Sequence, residues 1–147
     1  MEISKARLQA AVDAHADPRE RLLSVFGVQA AIFARPGYQG CPFNRATAEA
    51  QPGSAAYEVP RAYRRWLRDF FWELAAAAGA PDPGLLASQI HLLYDGAMAA
   101  ASLDAEGVQH RAGITAASQA AAAALLDAAL ASAGRGRHRK QERAELV

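Results

Sequence analysis

His91 and Asp95 stand four residues apart, a spacing that puts two side chains on one face of a helix. An imidazole and a carboxylate so placed can hold a metal ion, with Glu73 as a third ligand, or act as a general acid and base. The plainer reading is a hydrogen-bonded pair that satisfies two polar groups at a half-buried interface. Cys41, the one cysteine, offers a thiol for redox sensing. It has no second cysteine to resolve an oxidised sulfur and no basic residue beside it to favour the thiolate. It therefore reads as a small packed residue near a turn. Arg61, Arg64, Arg65 and Arg68 form a stripe able to touch phosphates. Glu58, Asp69 and Glu73 share its segment and can pair with it, so a solvated, internally paired face is expected. No CxxC, HExxH, GxxxxGK or GxSxG occurs, and Gly134-Arg135-Gly136 sits at a helix end rather than after a strand. No catalytic residue, metal or cofactor is expected.

A second group differs in kind. Phe26, Phe33, Phe43, Tyr63, Trp66, Phe70 and Tyr94 are far bulkier than the alanine-rich segments around them need. An aromatic stripe at helical spacing is either packed core or the lining of an apolar cavity, and the stripe alone leaves both open.

The elements that position these groups are helices. Gly and Pro punctuate the chain at Pro18, Pro36-Gly37, Gly40, Pro42, Pro52-Gly53, Gly79 to Gly84, Gly107 and Gly134, and no period-2 run of β-branched residues lies between. A first helix from Ser4 to His15 places Leu8 and Val12 on one face. Asp17-Pro18 opens a second, to about Ala34, with Leu22, Phe26, Ala30 and Phe33 in line. A short segment runs from Cys41 to Ala50. A long aromatic helix follows from near Ser54 to about Ala78, with Pro60 kinking or starting it. Asp82-Pro83 opens another helix, to about Ser102. Its apolar residues lie on more than one side, Leu86, Ile90, Leu93 and Ala97 on one line and Leu85, Leu92 and Gly96 on another, so it must be covered twice. The last helix, Val108 to Ala133, ends at Gly134-Arg135-Gly136, and the basic run from Arg135 to Arg143 reads as a solvated tail. The expected fold is all-α, an antiparallel bundle of about six helices.

Composition sets further bounds. The 147 residues fit one domain, and 16 Lys+Arg against 15 Asp+Glu leave a net charge of +1, which speaks against binding nucleic acid through the overall field. Alanine supplies 38 residues of a chain that is 52% hydrophobic, which suits helices packed closely through small side chains. A long alanine face gains little against water, because each methyl buries little area. Ala97, Ala101, Ala117, Ala120, Ala121, Ala124 and Ala128 therefore suggest pairing between two subunits, with the last two long helices of each forming a four-helix bundle about a two-fold axis. Met1 to Lys5 lacks the order of a signal peptide. Ser118, Gln119, Asp127 and Ser132 make the stretch from Ile114 to Ala133 too polar to span a bilayer. A cytoplasmic protein without membrane contact is expected.

The stretch from Asp17 to Asn44, DPRERLLSVFGVQAAIFARPGYQGCPFN, resembles the regulatory domain of TetR-family transcriptional repressors. Its specific piece is Gly40-Cys41-Pro42-Phe43-Asn44 followed by Ala48-Glu49, after an amphipathic helix ending in Arg-Pro-Gly. Leu92-Leu93-Tyr94-Asp95-Gly96-Ala97 and the alanine-rich last helix fit the same plan, so the likeness runs from Ser4 to Leu130. The resemblance implies a triangular bundle around an apolar pocket, lined by Phe26, Phe33, Cys41, Phe43, Asn44, Tyr63, Trp66, Phe70, His91 and Tyr94. Asn44, Tyr63, His91 and Tyr94 would orient a small apolar or aromatic effector. It also implies a homodimer paired through the last two helices. The helix-turn-helix with which such regulators begin has no counterpart here, and Ser4-Lys5 looks like the join just after it. Residues 1–16 then read as a residual linker helix, 17–133 as the ligand-binding and dimerisation domain, and 134–147 as a basic flexible tail. The chain would be a regulator cut to its effector domain or a naturally shortened homologue, meeting DNA only through an attached helix-turn-helix. Two other readings remain: an interaction protein that forms mixed dimers with a full-length regulator, and a small enzyme using the pocket with His91 and Asp95 as acid and base.

Overall fold

The computed structural model describes residues 2–38, 40, 50–103 and 107–145, with side chains to residue 134. Five helices are described: α1 (Glu2–Asp13), α2 (Pro18–Phe33), α3 (Ala55–Ala77), α4 (Pro83–Leu103) and α5 (Val108–Glu145). No strand occurs among the described residues. The expected short segment from Cys41 to Ala50 lies almost wholly outside them.

Local chemistry accounts for the boundaries. The Asp17 carboxylate accepts the Arg19 amide proton at 3.2 Å, and Pro18 holds the first helical position of α2, where its missing N–H costs nothing. Asp82 and Pro83 repeat the device, with Leu85 N–H donating to the carboxylate at 2.9 Å. α3 starts at Ala55, with Pro60 inside the helix rather than at its start. It ends in a Schellman turn: the Ala80 N–H donates to the Ala75 carbonyl, the Gly79 N–H to that of Ala76, and Gly79 takes the left-handed φ of 81° this requires. The last helix departs from expectation. It continues through Gly134-Arg135-Gly136 to Glu145 instead of stopping at Ala133. Two glycines cost about 2 kcal/mol of helix propensity, too little to stop an alanine-rich helix already under way.

α3 packs on α4, α4 on α5, α5 on α2, and α2 on α1, closing a bundle with α2 and α4 at its centre. The core gathers Leu8 and Val12 of α1, Leu22, Val25 and Phe26 of α2, Leu67, Phe71 and Leu74 of α3, Leu86, Ile90 and Tyr94 of α4, and Leu126 of α5. A smaller cluster joins Phe33 to Ala97 and Ala101. Those two alanines were expected at the subunit seam. They are buried within the chain against Phe33 and cannot serve there.

Two polar clamps tie α5 to α2. Arg19 bonds both carboxylate oxygens of Asp127 at 3.0 Å, which raises the guanidinium's pKa and lowers the carboxylate's. Arg111 Nε donates to the Phe33 carbonyl at 2.7 Å, a cation capping the negative end of α2.

The outer faces of α4 and α5 are apolar and uncovered. Leu92 is 73% and Leu103 83% exposed, with Leu85, Gly96 and Ala99 on the same side of α4 and Val108, Ala117, Ala120, Ala124 and Ala128 exposed on α5. Ala121 is half-buried. Val108–Gly134 is, by length and composition, long and apolar enough to cross a membrane, contrary to the sequence expectation. Its four interrupting polar residues are outweighed by alanine methyls.

The aromatic stretch of α3 supplies a direct check of the packing. Phe71 is fully buried, whereas its neighbour Trp72 is half-exposed. Phe71→Ala is expected to cost about 3–5 kcal/mol in denaturant unfolding, and Trp72→Ala about 0.5 kcal/mol or less.

Candidate functional site

Because α3 turns 100° per residue, Leu67, Phe71 and Leu74 face the core while Arg61, Arg64, Arg65 and Arg68 face out along its flank toward α4. Four residues after Gly79 the chain turns back as α4, which sets His91 and Asp95 against that flank. His91 is 6% exposed and packs on the Phe71 ring, centroids 5.6 Å apart. Its Nε2 lies 3.4 Å from Asp95 Oδ2 without hydrogen-bond geometry, and so is buried with no hydrogen-bond partner. The Asp95 oxygen is taken by Arg64, whose Nη2 approaches to 2.6 Å. Arg61 turns the other way, donating to the Tyr57 hydroxyl at 2.9 Å with its guanidinium 5.1 Å from that ring. Between these groups lies a hollow of about 310 Å³ lined by the four arginines and His91.

The expected pairing of the stripe with Glu58, Asp69 and Glu73 is not observed. Among the described residues the ion pair comes from Asp95 on the adjacent helix, and the three acids of α3 point into solvent. The imidazole is held below its ordinary pKa, chiefly by burial, with Arg64 and Arg68 adding to the effect and Asp95 opposing it. It is a neutral ring at neutral pH.

The residues expected to line one pocket fall into separate groups. Phe26, Phe71, His91 and Tyr94 meet ring to ring at the α2–α3–α4 junction, with Phe26 and Tyr94 6.3 Å apart edge to face and Phe71 and Tyr94 5.6 Å apart. Tyr63, Trp66 and Phe70 stack on one another along α3 and face α1, where Lys5 sits 5.4 Å over the Trp66 ring. Phe33 lies in the smaller cluster, 5.2 Å from the Tyr38 ring. Cys41, Phe43 and Asn44 fall outside the described residues. Among those described, no three His, Cys, Asp or Glu side chains converge to hold a metal.

Sequence reasoning missed Gln29. It is fully buried, its Nε2 donates to the Tyr94 carbonyl at 2.7 Å, and its Oε1 has no hydrogen-bond partner. The signal was available: Gln29 lies three residues after Phe26 and four before Phe33, on the inward stripe of α2. A buried carbonyl oxygen and a buried imidazole nitrogen, each unsatisfied, thus flank Tyr94 of α4.

No family model matches the chain, and no curated protein matches it. Among solved structures, the chain superimposes on a TetR-family transcriptional regulator from Streptomyces coelicolor with a TM-score of 0.77 and 24% identity. The match covers 86% of this chain and 65% of that one, so the chain spans about two thirds of the regulator's length. The fold is that of a TetR-family regulator.

The buried imidazole makes stability depend on pH. Its folded pKa lies below the unfolded value of 6.5, so its contribution is present above 6.5 and is lost as pH falls through the folded value. Denaturant unfolding should show stability dropping between roughly pH 7 and 5, with His91→Leu removing part of that slope.

Proposed function

We propose that the chain is the effector-binding and dimerisation domain of a TetR-like transcriptional repressor, working in the cytoplasm and catalysing no reaction. One observation carries this reading: the fold of such a regulator joined to an uncovered apolar face on α4 and α5. Leucines exposed at Leu85, Leu92 and Leu103 beside a row of alanines gain little from water and much from a partner surface. A second copy brings the same face, and two α4–α5 pairs about a two-fold axis make a four-helix bundle. Alanines on α5 let the helices approach closely while the leucines of α4 fill the sides.

The effector is a small molecule received where α2, α3 and α4 meet. Phe26, Phe71 and Tyr94 offer apolar ring surface there, while Gln29 Oε1 is a buried polar atom in need of a partner. In a regulator this domain would be joined to a helix-turn-helix in each subunit. An effector that binds one spacing of the two units better than another shifts operator affinity by that difference alone. A mixed dimer with a full-length regulator would use the same face.

Assembly is the experimental test. Sedimentation should show a dimer at micromolar concentration. Ala124 is exposed in the single chain, so Ala124→Arg should leave each subunit folded and helical while giving monomers, because the charge would be buried only in the dimer. A wild-type chain that stays monomeric removes the basis of the reading.

A further inference from the structure

The arginine-lined hollow between α3 and α4 is unexplained by dimerisation and lies on a different face from the Tyr63–Trp66–Phe70 stack. Four guanidiniums surround it, and among the described residues the one carboxylate that pairs with them is Asp95. Arg65 and Arg68 form no ion pair and no hydrogen bond among the described residues, so two planar forks stand ready for an incoming acceptor. His91 lines the same hollow, and its Nε2 is buried without a hydrogen-bond partner. An unsatisfied polar atom in that position is stabilised by a ligand that reaches it.

We propose that this hollow is a binding site for a phosphate-bearing small molecule, held by Arg64, Arg65 and Arg68 with His91 contacting the bound oxyanion. Charge selects the class. Excess positive charge of more than one unit is poorly matched by a monocarboxylate, whereas a phosphate dianion brings two charges and three acceptor oxygens suited to bidentate guanidinium contacts. Shape selects a small molecule over a nucleic acid. A volume of about 310 Å³ suits a compact ligand, and a duplex backbone lying across the arginines would not reach a buried nitrogen. This site rests on the hollow alone and holds whether or not the chain regulates transcription.

The test uses inorganic pyrophosphate, inorganic phosphate, benzoate and a random-sequence DNA duplex, at ionic strength held constant with sodium chloride. Trp72 is a built-in reporter, half-exposed and one helical turn beyond Arg68. Titration calorimetry and tryptophan emission should show saturable binding of pyrophosphate and, more weakly, of phosphate. The imidazole nitrogen signals of His91 should move in the NMR spectrum. Arg65→Gln with Arg68→Gln should weaken pyrophosphate binding at least ten-fold without altering the helical circular dichroism. Arg7→Gln, on the distant α1, should leave it unchanged. Three outcomes overturn the proposal: no saturable binding, binding indifferent to the double substitution, or pyrophosphate binding that leaves the His91 signals still. Benzoate binding more tightly than pyrophosphate overturns the ligand class. A duplex that outcompetes pyrophosphate and shifts Trp72 but not His91 turns the stripe into a nucleic-acid surface. Failure on any arm leaves the dimerisation test untouched, since that assay reads a different face.

Discussion

The structure depends on α4, a helix with apolar residues all the way round that the single chain covers only in part. One side, Leu86, Ile90 and Tyr94, completes the main core; another, Ala97 and Ala101, receives Phe33. The third, Leu85, Leu92, Gly96, Ala99 and Leu103, is left exposed by the described residues. A helix left in that state exposes its most costly surface, and the hydrophobic effect that ordered the first two sides acts equally on the third. Much else in the chain is arranged by this demand. α3 and α5 flank α4, and α2 lies beneath it.

α5 answers the opposite problem. It is long but has few large side chains; among its described side chains only Thr115, Ala122 and Leu126 are buried. Methyl groups give it little adhesion per residue, so its position on α2 is set by two directional contacts, the Arg19–Asp127 fork and Arg111 on the Phe33 carbonyl. Being exposed, the fork contributes geometry more than energy. The arrangement leaves the outer alanines of α5 smooth and free, continuous with the bare face of α4.

The helices and their boundaries were legible because they are written in local chemistry. Asp17-Pro18, Asp82-Pro83 and Gly79 act within a few residues, and Leu8 with Val12 obey the helical period. The end of α5 was misread because a pair of glycines was weighed as a stop without the momentum of the alanines before it. The need of α4 for two covers was visible in its leucines. Which alanines face outward was not: Ala97 and Ala101 look like Ala120 and Ala124 in sequence, and only the arrival of Phe33 from α2 separates them. The polar site shows the same limit. Arg64 has acids within reach on its own helix, yet Asp95 on the next helix takes it, because tertiary packing brings that carboxylate to 2.6 Å. The place of Gln29 on the inward stripe is legible in the spacing from Phe26 and Phe33, but its unsatisfied Oε1 is set by what α4 brings beside it.

The unsatisfied atoms occupy a telling position. Gln29 Oε1 and His91 Nε2 both lie beside α4 on its covered sides, while the bare leucines lie on its free side. α4 is thus in contact with both of these unsatisfied atoms and carries the leucines of the uncovered face. A small molecule bound at Gln29 or His91 would touch α4 directly, and a second subunit on Leu92 and Gly96 would touch it from the other side. Two ligands of one rigid helix are coupled whenever each favours the same placement of it, and by linkage the effect is reciprocal. The size of that coupling is set by how differently each ligand holds α4 in its alternative placements, and a close-packed helix has few of them. On the proposed reading, signal and assembly would converge on the side chains of a single 21-residue helix.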